Sequence, residues 1–237
     1  MTTGLQVKSR QRVSDHGEVF TAEREVNAML DLVKQETERV DSRFLEPACG
    51  DGNFLAEILR RKLVAAKKRA TPPKKQTIVP LEFEKQSLIA VASLYGVDLL
   101  MDNVIACRQR LYGIWDSEYE TICTGELSEE CRAAVRFILS RNIVCGNALT
   151  LMCVDDHQQD TKTPIIFSEW TLPFNDTRIQ RKDYSFAELM QSATVEDNIR
   201  KTGQMDLFAD KNGEVEPIFL HQYIFDYRRP QNYDTQP

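Results

Sequence analysis

Between a hydrophobic run and a helical one the chain reads Glu46-Pro47-Ala48-Cys49-Gly50-Asp51-Gly52-Asn53-Phe54-Leu55, and no other segment narrows the choice of fold as much. Two glycines one residue apart permit left-handed backbone angles and a sharp reversal. Residues 42–45 before them read as a short strand. Residues 53–63 after them read as a helix, with Phe54, Leu55, Ile58, Leu59 and Leu63 on one face and basic residues gathering at its C-terminal end, where the macrodipole favours them. A strand, a glycine turn and a helix whose first amides point back at the turn let backbone approach a ligand closely.

The unit recurs. Helices are predicted over 22–38, 82–94, 102–111 and 128–140, and strands over 95–99, 142–145 and 165–170. This alternation predicts an α/β chain: a Rossmann-like, doubly wound, mostly parallel sheet with helices on both faces and its ligand at the carboxyl ends of the strands. Residues 1–176 are expected to form that domain, with Thr21 capping the first helix. Residues 177–237 are expected to be an irregular C-terminal extension with a short helix near 186–191. The stretch KKRATPPKKQTIVP (67–80) is a basic, proline-interrupted insertion, either solvated or in contact with phosphate.

Composition removes several functional classes. No apolar run is long enough to span a bilayer and the first residues lack a secretory signal, so no membrane partner is expected and the cytoplasm is the expected compartment. Six cysteines without a C-x-x-C pair and three scattered histidines predict neither a disulfide framework nor a metal site. A net charge of −6 argues against a chain that grips nucleic acid unaided, because phosphate neutralisation supplies most of that affinity.

The strand ends carry the candidate ligand groups. Asp98, in GVDLL, ends the second strand where a carboxylate accepts ribose hydroxyl hydrogens. It lies further from Gly52 than the roughly 20 residues of a dinucleotide fold, and the basic insertion accounts for the excess. Asn147, in CGNAL, follows the third strand with an amide able to donate to and accept from an adenine edge. Singly, the glycines also suit a plain turn, Asp98 a helix cap and Asn147 a turn residue. In this order they suit an adenosine.

GEVFT, FLEPACGDGNFL, GVDLLMDNVIACRQRL and GNALT, in that sequence, resemble the cofactor-binding half of the amino-methylating, adenine-N6 DNA methyltransferases of restriction–modification systems, over residues 8–151. The resemblance implies S-adenosylmethionine as cofactor. Glu46, Ala48, Gly50 and Gly52 would line its methionine end, Asp98 would hold the ribose, and Asn147 would approach the adenine where many relatives have Asp. Thr21 matches the threonine that meets the cofactor carboxylate. Ala22 stands where the family has proline, a change a helix start tolerates.

The family's catalytic Asn/Asp-Pro-Pro-Tyr/Phe is missing. The one Pro-Pro pair, Pro72-Pro73, lies in the basic insertion. After the fourth predicted strand comes FSEWTLPFND, where Glu169 is the candidate acceptor for a target amine and Trp170 and Phe174 are candidates to stack on a flipped base; core packing is their bland alternative. The expected activity is therefore methyl transfer to an exocyclic amine of DNA, with a partner subunit supplying target recognition. The alternative is an inert cofactor-binding or partner-binding subunit of a restriction or defence system. In residues 203–210, GQMDLFAD resembles the peptide by which bacterial replication and repair proteins dock on the DNA sliding clamp, with Leu207 and Phe208 as anchors and Gln204 as the hydrogen-bonding residue.

Overall fold

The computed structural model describes residues 21–74, 76–174, 176–190 and 218–233. The predicted helix over 22–38 is two helices, α1 (Glu23–Asp31) and α2 (Lys34–Thr37), separated at Leu32 and Val33. Ala22 is the N-cap of α1 and no side chain caps it, so Thr21 does not take the capping role expected of it.

Next come β1 (Phe44–Glu46), α3 (Asn53–Arg69), α4 (Pro80–Ala92), β2 (Leu94–Asp98), α5 (Met101–Ile122), α6 (Glu129–Asn142) and β3 (Ile143–Cys145). The strands form a parallel sheet in the order β1-β2-β3, with Glu46 beside Gly96 and Asp98 beside Cys145. Two helices run longer than predicted. Residues 64–69 are mostly alanine, lysine and arginine, strong helix formers, and α3 continues to Arg69 before Pro72. In α5 the buried stripe of Val104, Cys107 and Leu111 extends through Trp115 and Tyr119. Gly113 interrupts that pattern but faces open space, and a helical glycine there costs only about 1 kcal/mol.

β2 divides the interior, because successive side chains point to opposite faces. Leu94 belongs to the larger hydrophobic cluster, shared with Leu55 and Leu59 of α3, Leu88 of α4 and Leu111 of α5. Tyr95 and Val97 belong to a second cluster, with Ile165, Phe167 and Phe186. Helices therefore cover one face. Over the other lie β6 (Ile166–Thr171) and a short helix over 186–190.

This corrects the expected mostly parallel sheet with helices on both faces. β4 (Met152–Val154) and β5 (Asp160–Pro164) form an antiparallel pair. β6 pairs antiparallel with β7 (Arg178–Ser185), and β7 with β8 (His221–Asp226). The described residues thus form a mixed α/β structure, with one parallel and two antiparallel sheets. The boundary expected after residue 176 falls inside the β6–β7 hairpin, and β7 and β8 give the expected irregular extension regular structure.

The segment after β8 is fastened to the helical layer. Buried Glu84 of α4 accepts hydrogen bonds from Tyr119 Oη (2.9 Å), Tyr227 Oη (2.7 Å) and Arg228 Nε. An unpartnered carboxylate there would be costly, so these donors are part of the fold.

Candidate functional site

The glycine turn is tied to β2 on both sides. Cys49 N–H donates to Val97 O (2.9 Å), Gly50 N–H to Asp98 Oδ2 (2.9 Å), and Gly52 N–H to Cys49 O (2.8 Å). Gly50 and Gly52 have φ of 52° and 88°, the left-handed region that glycine enters at no steric cost. A β-carbon on Gly52 would also lie 2.7 Å from Cys107 Sγ of α5. The turn is thereby pressed onto α5 and aims the N-terminus of α3 across the carboxyl end of the sheet.

A cavity of about 490 Å³ opens there, within the range of small-molecule sites. Thr21, Glu46, Ala48, Gly50, Asp98 and Asn147 line it together. Gly52 does not line it; it sits behind the turn as the N-cap of α3. Sequence reasoning missed Asn53, Phe54, Leu99, Asn103 and Leu149, which also line the cavity. Leu99 was detectable as the residue after the strand-end acid. Asn103 carried no signal, since a polar residue in the first turn of a helix is ordinary.

Among the described lining residues Glu46 and Asp98 are the charged groups, with no lysine or arginine. Burial pushes the Glu46 carboxyl above its ordinary 4.5, opposed by a hydrogen bond from the Ala48 backbone. Phosphates of a dinucleotide would meet two acids, whereas a cation would be favoured.

Asp98 is already held by the protein. Its Oδ1 accepts from Leu100 N–H (2.9 Å) and Asn103 Nδ2 (3.2 Å), and its Oδ2 accepts from Gly50 N–H (2.9 Å). A carboxylate has about four lone-pair positions, so these donors leave roughly one for a ligand. Asn147 is similarly engaged: its Oδ1 accepts from Leu149 N–H (3.0 Å), and its Nδ2 donates to Asp160 Oδ1 (3.1 Å). The cap and turn uses open to these residues in the sequence coexist with their place in the cavity. Asn53 Nδ2 donates to Thr21 O (3.2 Å) while Asn53 Oδ1 accepts from Arg110 Nη1 (2.6 Å), linking the chain before α1 to the turn and to α5.

The three catalytic candidates lie elsewhere. β6 starts near the cavity, where Ile165 N–H donates to Leu151 O (2.9 Å), and runs toward the amino end of the parallel sheet. There Ser168 N–H donates to Asn142 Oδ1 (3.1 Å), and Asn142 Nδ2 donates to Ala92 O (3.0 Å), just ahead of β3 and β2. Glu169 pairs with Arg43 (2.7 Å), the residue before β1, and accepts from Tyr184 Oη (3.2 Å). Trp170 is buried against Phe137, Phe225 and the Arg181 guanidinium. Phe174 lies under the Arg178 guanidinium, 4.0 Å from its ring centre. None of the three lines the cavity.

The basic insertion is also remote, at the far end of α3, roughly 25 Å from the turn at 1.5 Å per residue. Lys67 pairs with Glu118 (2.6 Å) and Arg69 with Asp41 (3.1 Å). The docking peptide at 203–210, with Gln204, Leu207 and Phe208, lies outside the described residues. No described helix is long and apolar enough to cross a membrane. No protein-family model, curated protein or solved structure matches the chain.

Proposed function

We propose that the chain binds S-adenosylmethionine in this cavity and acts as a methyltransferase of the DNA adenine-N6 type, with target recognition supplied by a partner subunit. One observation carries the reading. Six of the seven residues that the resemblance assigns to the cofactor, spread from Thr21 to Asn147, line one cavity whose described charged groups are acidic. That charge suits a sulfonium and an ammonium better than phosphates. The lone pair left on Asp98 is available to the ribose, Glu46 to a cationic group, and the free amides at the start of α3 to the ligand carboxylate. Leu99 and Leu149 offer apolar walls to the base. Three parallel strands with a cavity at their carboxyl ends support a Rossmann-like origin for this half of the molecule.

A second reading rests on the course of β6. It takes Glu169, Trp170 and Phe174 to the end of the sheet away from the cavity, which favours a cofactor-binding subunit that leaves acceptor contacts to another chain. Calorimetry with S-adenosylmethionine, followed by incubation of labelled cofactor with mixed-sequence DNA, separates the two. Binding with label transfer supports the enzyme; binding without transfer supports the subunit. No heat of binding with the cofactor sinks both.

A further inference from the structure

We propose that Asn103 is a positioning residue for ligand binding: it orients the Asp98 carboxylate so that its one open lone pair faces the cavity and receives a ribose hydroxyl. The inference rests on the reading of the cavity as a nucleoside site. Asn103 is 1% exposed, sits in the first turn of α5 and lines the cavity. Its Nδ2 lies 3.2 Å from Asp98 Oδ1, which also takes the Leu100 N–H at 2.9 Å. The two donors fix that oxygen from the α5 side. Among the described residues Oδ2 takes only the Gly50 N–H, at 2.9 Å, and so keeps the unfilled acceptor position.

Without Asn103 the carboxylate rests on two backbone amides from two different segments, the glycine turn and the start of α5. It is then free to rotate and to offer solvent either oxygen. A buried side-chain amide is a costly way to fill space, because its polar atoms must all be matched on leaving water. The position is explained when one of those matches fixes a binding carboxylate. The same geometry divides the labour: Asp98 touches the ligand, and Asn103 acts through Asp98.

The test compares S-adenosylhomocysteine with its 2′,3′-dideoxy analogue by calorimetry on the wild-type protein and on Asn103→Leu, which keeps volume and removes the donor. Asn103→Ser, which retains a shorter donor, is measured beside it, and circular dichroism confirms folding of each. Wild type is expected to prefer the ribose ligand by about tenfold to a hundredfold, the range of one hydrogen bond to a charged group. Asn103→Leu is expected to bring that preference to within about twofold while leaving the affinity for the dideoxy ligand nearly unchanged, with Asn103→Ser in between. If Asn103→Leu weakens both ligands equally, the residue only supports the fold, and the inference fails while the nucleoside site stands. If wild type shows no preference between the ligands, the role given to Asp98 fails and this inference with it. If wild type binds neither, the reading of the cavity itself falls.

Discussion

The two ends of the parallel sheet solve opposite problems. At its amino end, buried donors match backbone acceptors. Lys62 is fully buried and donates from Nζ to the carbonyls of Arg39 (2.9 Å), Val40 (3.1 Å) and Ser42. Ser93 Oγ reaches Val40 O (3.2 Å), Asn142 ties Ala92 to Ser168, and Tyr95 Oη donates to Ser168 O (3.2 Å). At the carboxyl end, two carboxylates face a cavity to which no described residue brings a cationic side chain. One end is closed by hydrogen bonding within the protein, whereas the other keeps acceptor capacity in reserve. That asymmetry explains why substitutions at the two ends should be read by different measurements.

The largest effect is expected at the closed end. Lys62→Met keeps most of the volume but takes the Nζ donor from the Arg39 and Ser42 carbonyls and leaves Val40 O only Ser93 Oγ, and should lower unfolding free energy by about 3 kcal/mol in urea. Cofactor affinity should be unchanged. The pH dependence has a definite sign. Burial pulls the Lys62 ammonium from 10.5 down to about 7. Between those values the unfolded chain holds a proton that the folded chain has released, so stability from this group rises as pH climbs from 7 toward 10.5. Lys62→Met should remove that slope, and an unchanged slope would contradict the role given to burial.

At the open end the turn comes next. Gly52→Ala should cost about 2 kcal/mol, from a left-handed φ and from overlap with Cys107 Sγ. It should also abolish cofactor binding by lifting the turn off α5. Gly52→Ala combined with Cys107→Ala should recover the overlap and leave the roughly 1 kcal/mol backbone cost. If the double variant is no more stable than the single one, the packing of the turn on α5 is not what fixes it.

Glu46 gives a smaller effect that reports on charge. Because burial raises its folded pKa, the neutral carboxyl stabilises the empty protein at low pH, and that contribution is lost as pH rises through the shifted range above 4.5. A cationic ligand wants the ionised form. Affinity for S-adenosylmethionine should therefore rise with pH across the same range, by about 1 kcal/mol overall, and Glu46→Gln should flatten the profile. A profile unaffected by Glu46→Gln would remove Glu46 from the binding of charge.

What the sequence disclosed and what it hid follow from range. The turn at 46–55, the acid ending β2 and the amide after β3 are local signals: residue type and position within a strand–turn–helix unit decide them. The direction of β6 is not local. Ile165–Trp170 reads as the same apolar run whether it joins a parallel sheet or lies across its face, and only the pairing with β7 and β8 decides. Nothing in the α4 segment marks Glu84 for burial, and its partner Tyr227 is 143 residues away. Lys62, inside the basic run of α3, gives no hint that it alone turns inward. The direction of β6, the burial of Glu84 and the burial of Lys62 each depend on a distant segment; the missed lining residues Asn53, Phe54, Leu99, Asn103 and Leu149 lie next to local signals but carry no chemistry of their own that marks a ligand.

The smallest effect is expected at Glu169. The sequence offers Glu169 as the acceptor for a target amine, and truncating a catalytic carboxylate would remove most of the activity. In the fold it makes a partly exposed pair with Arg43, whose side chain is 59% exposed, and such pairs contribute roughly 0–1 kcal/mol. Glu169→Ala should therefore change stability by no more than about 0.5 kcal/mol, net of the hydrogen bond lost by Tyr184, and leave S-adenosylmethionine affinity as it was. Label transfer to DNA, if present in wild type, should persist at an unchanged rate. Loss of transfer with binding intact would mean that the acceptor reaches the amino end of the sheet, which a cofactor held at Asp98 does not permit. The cofactor would then sit elsewhere than in the cavity at Asp98.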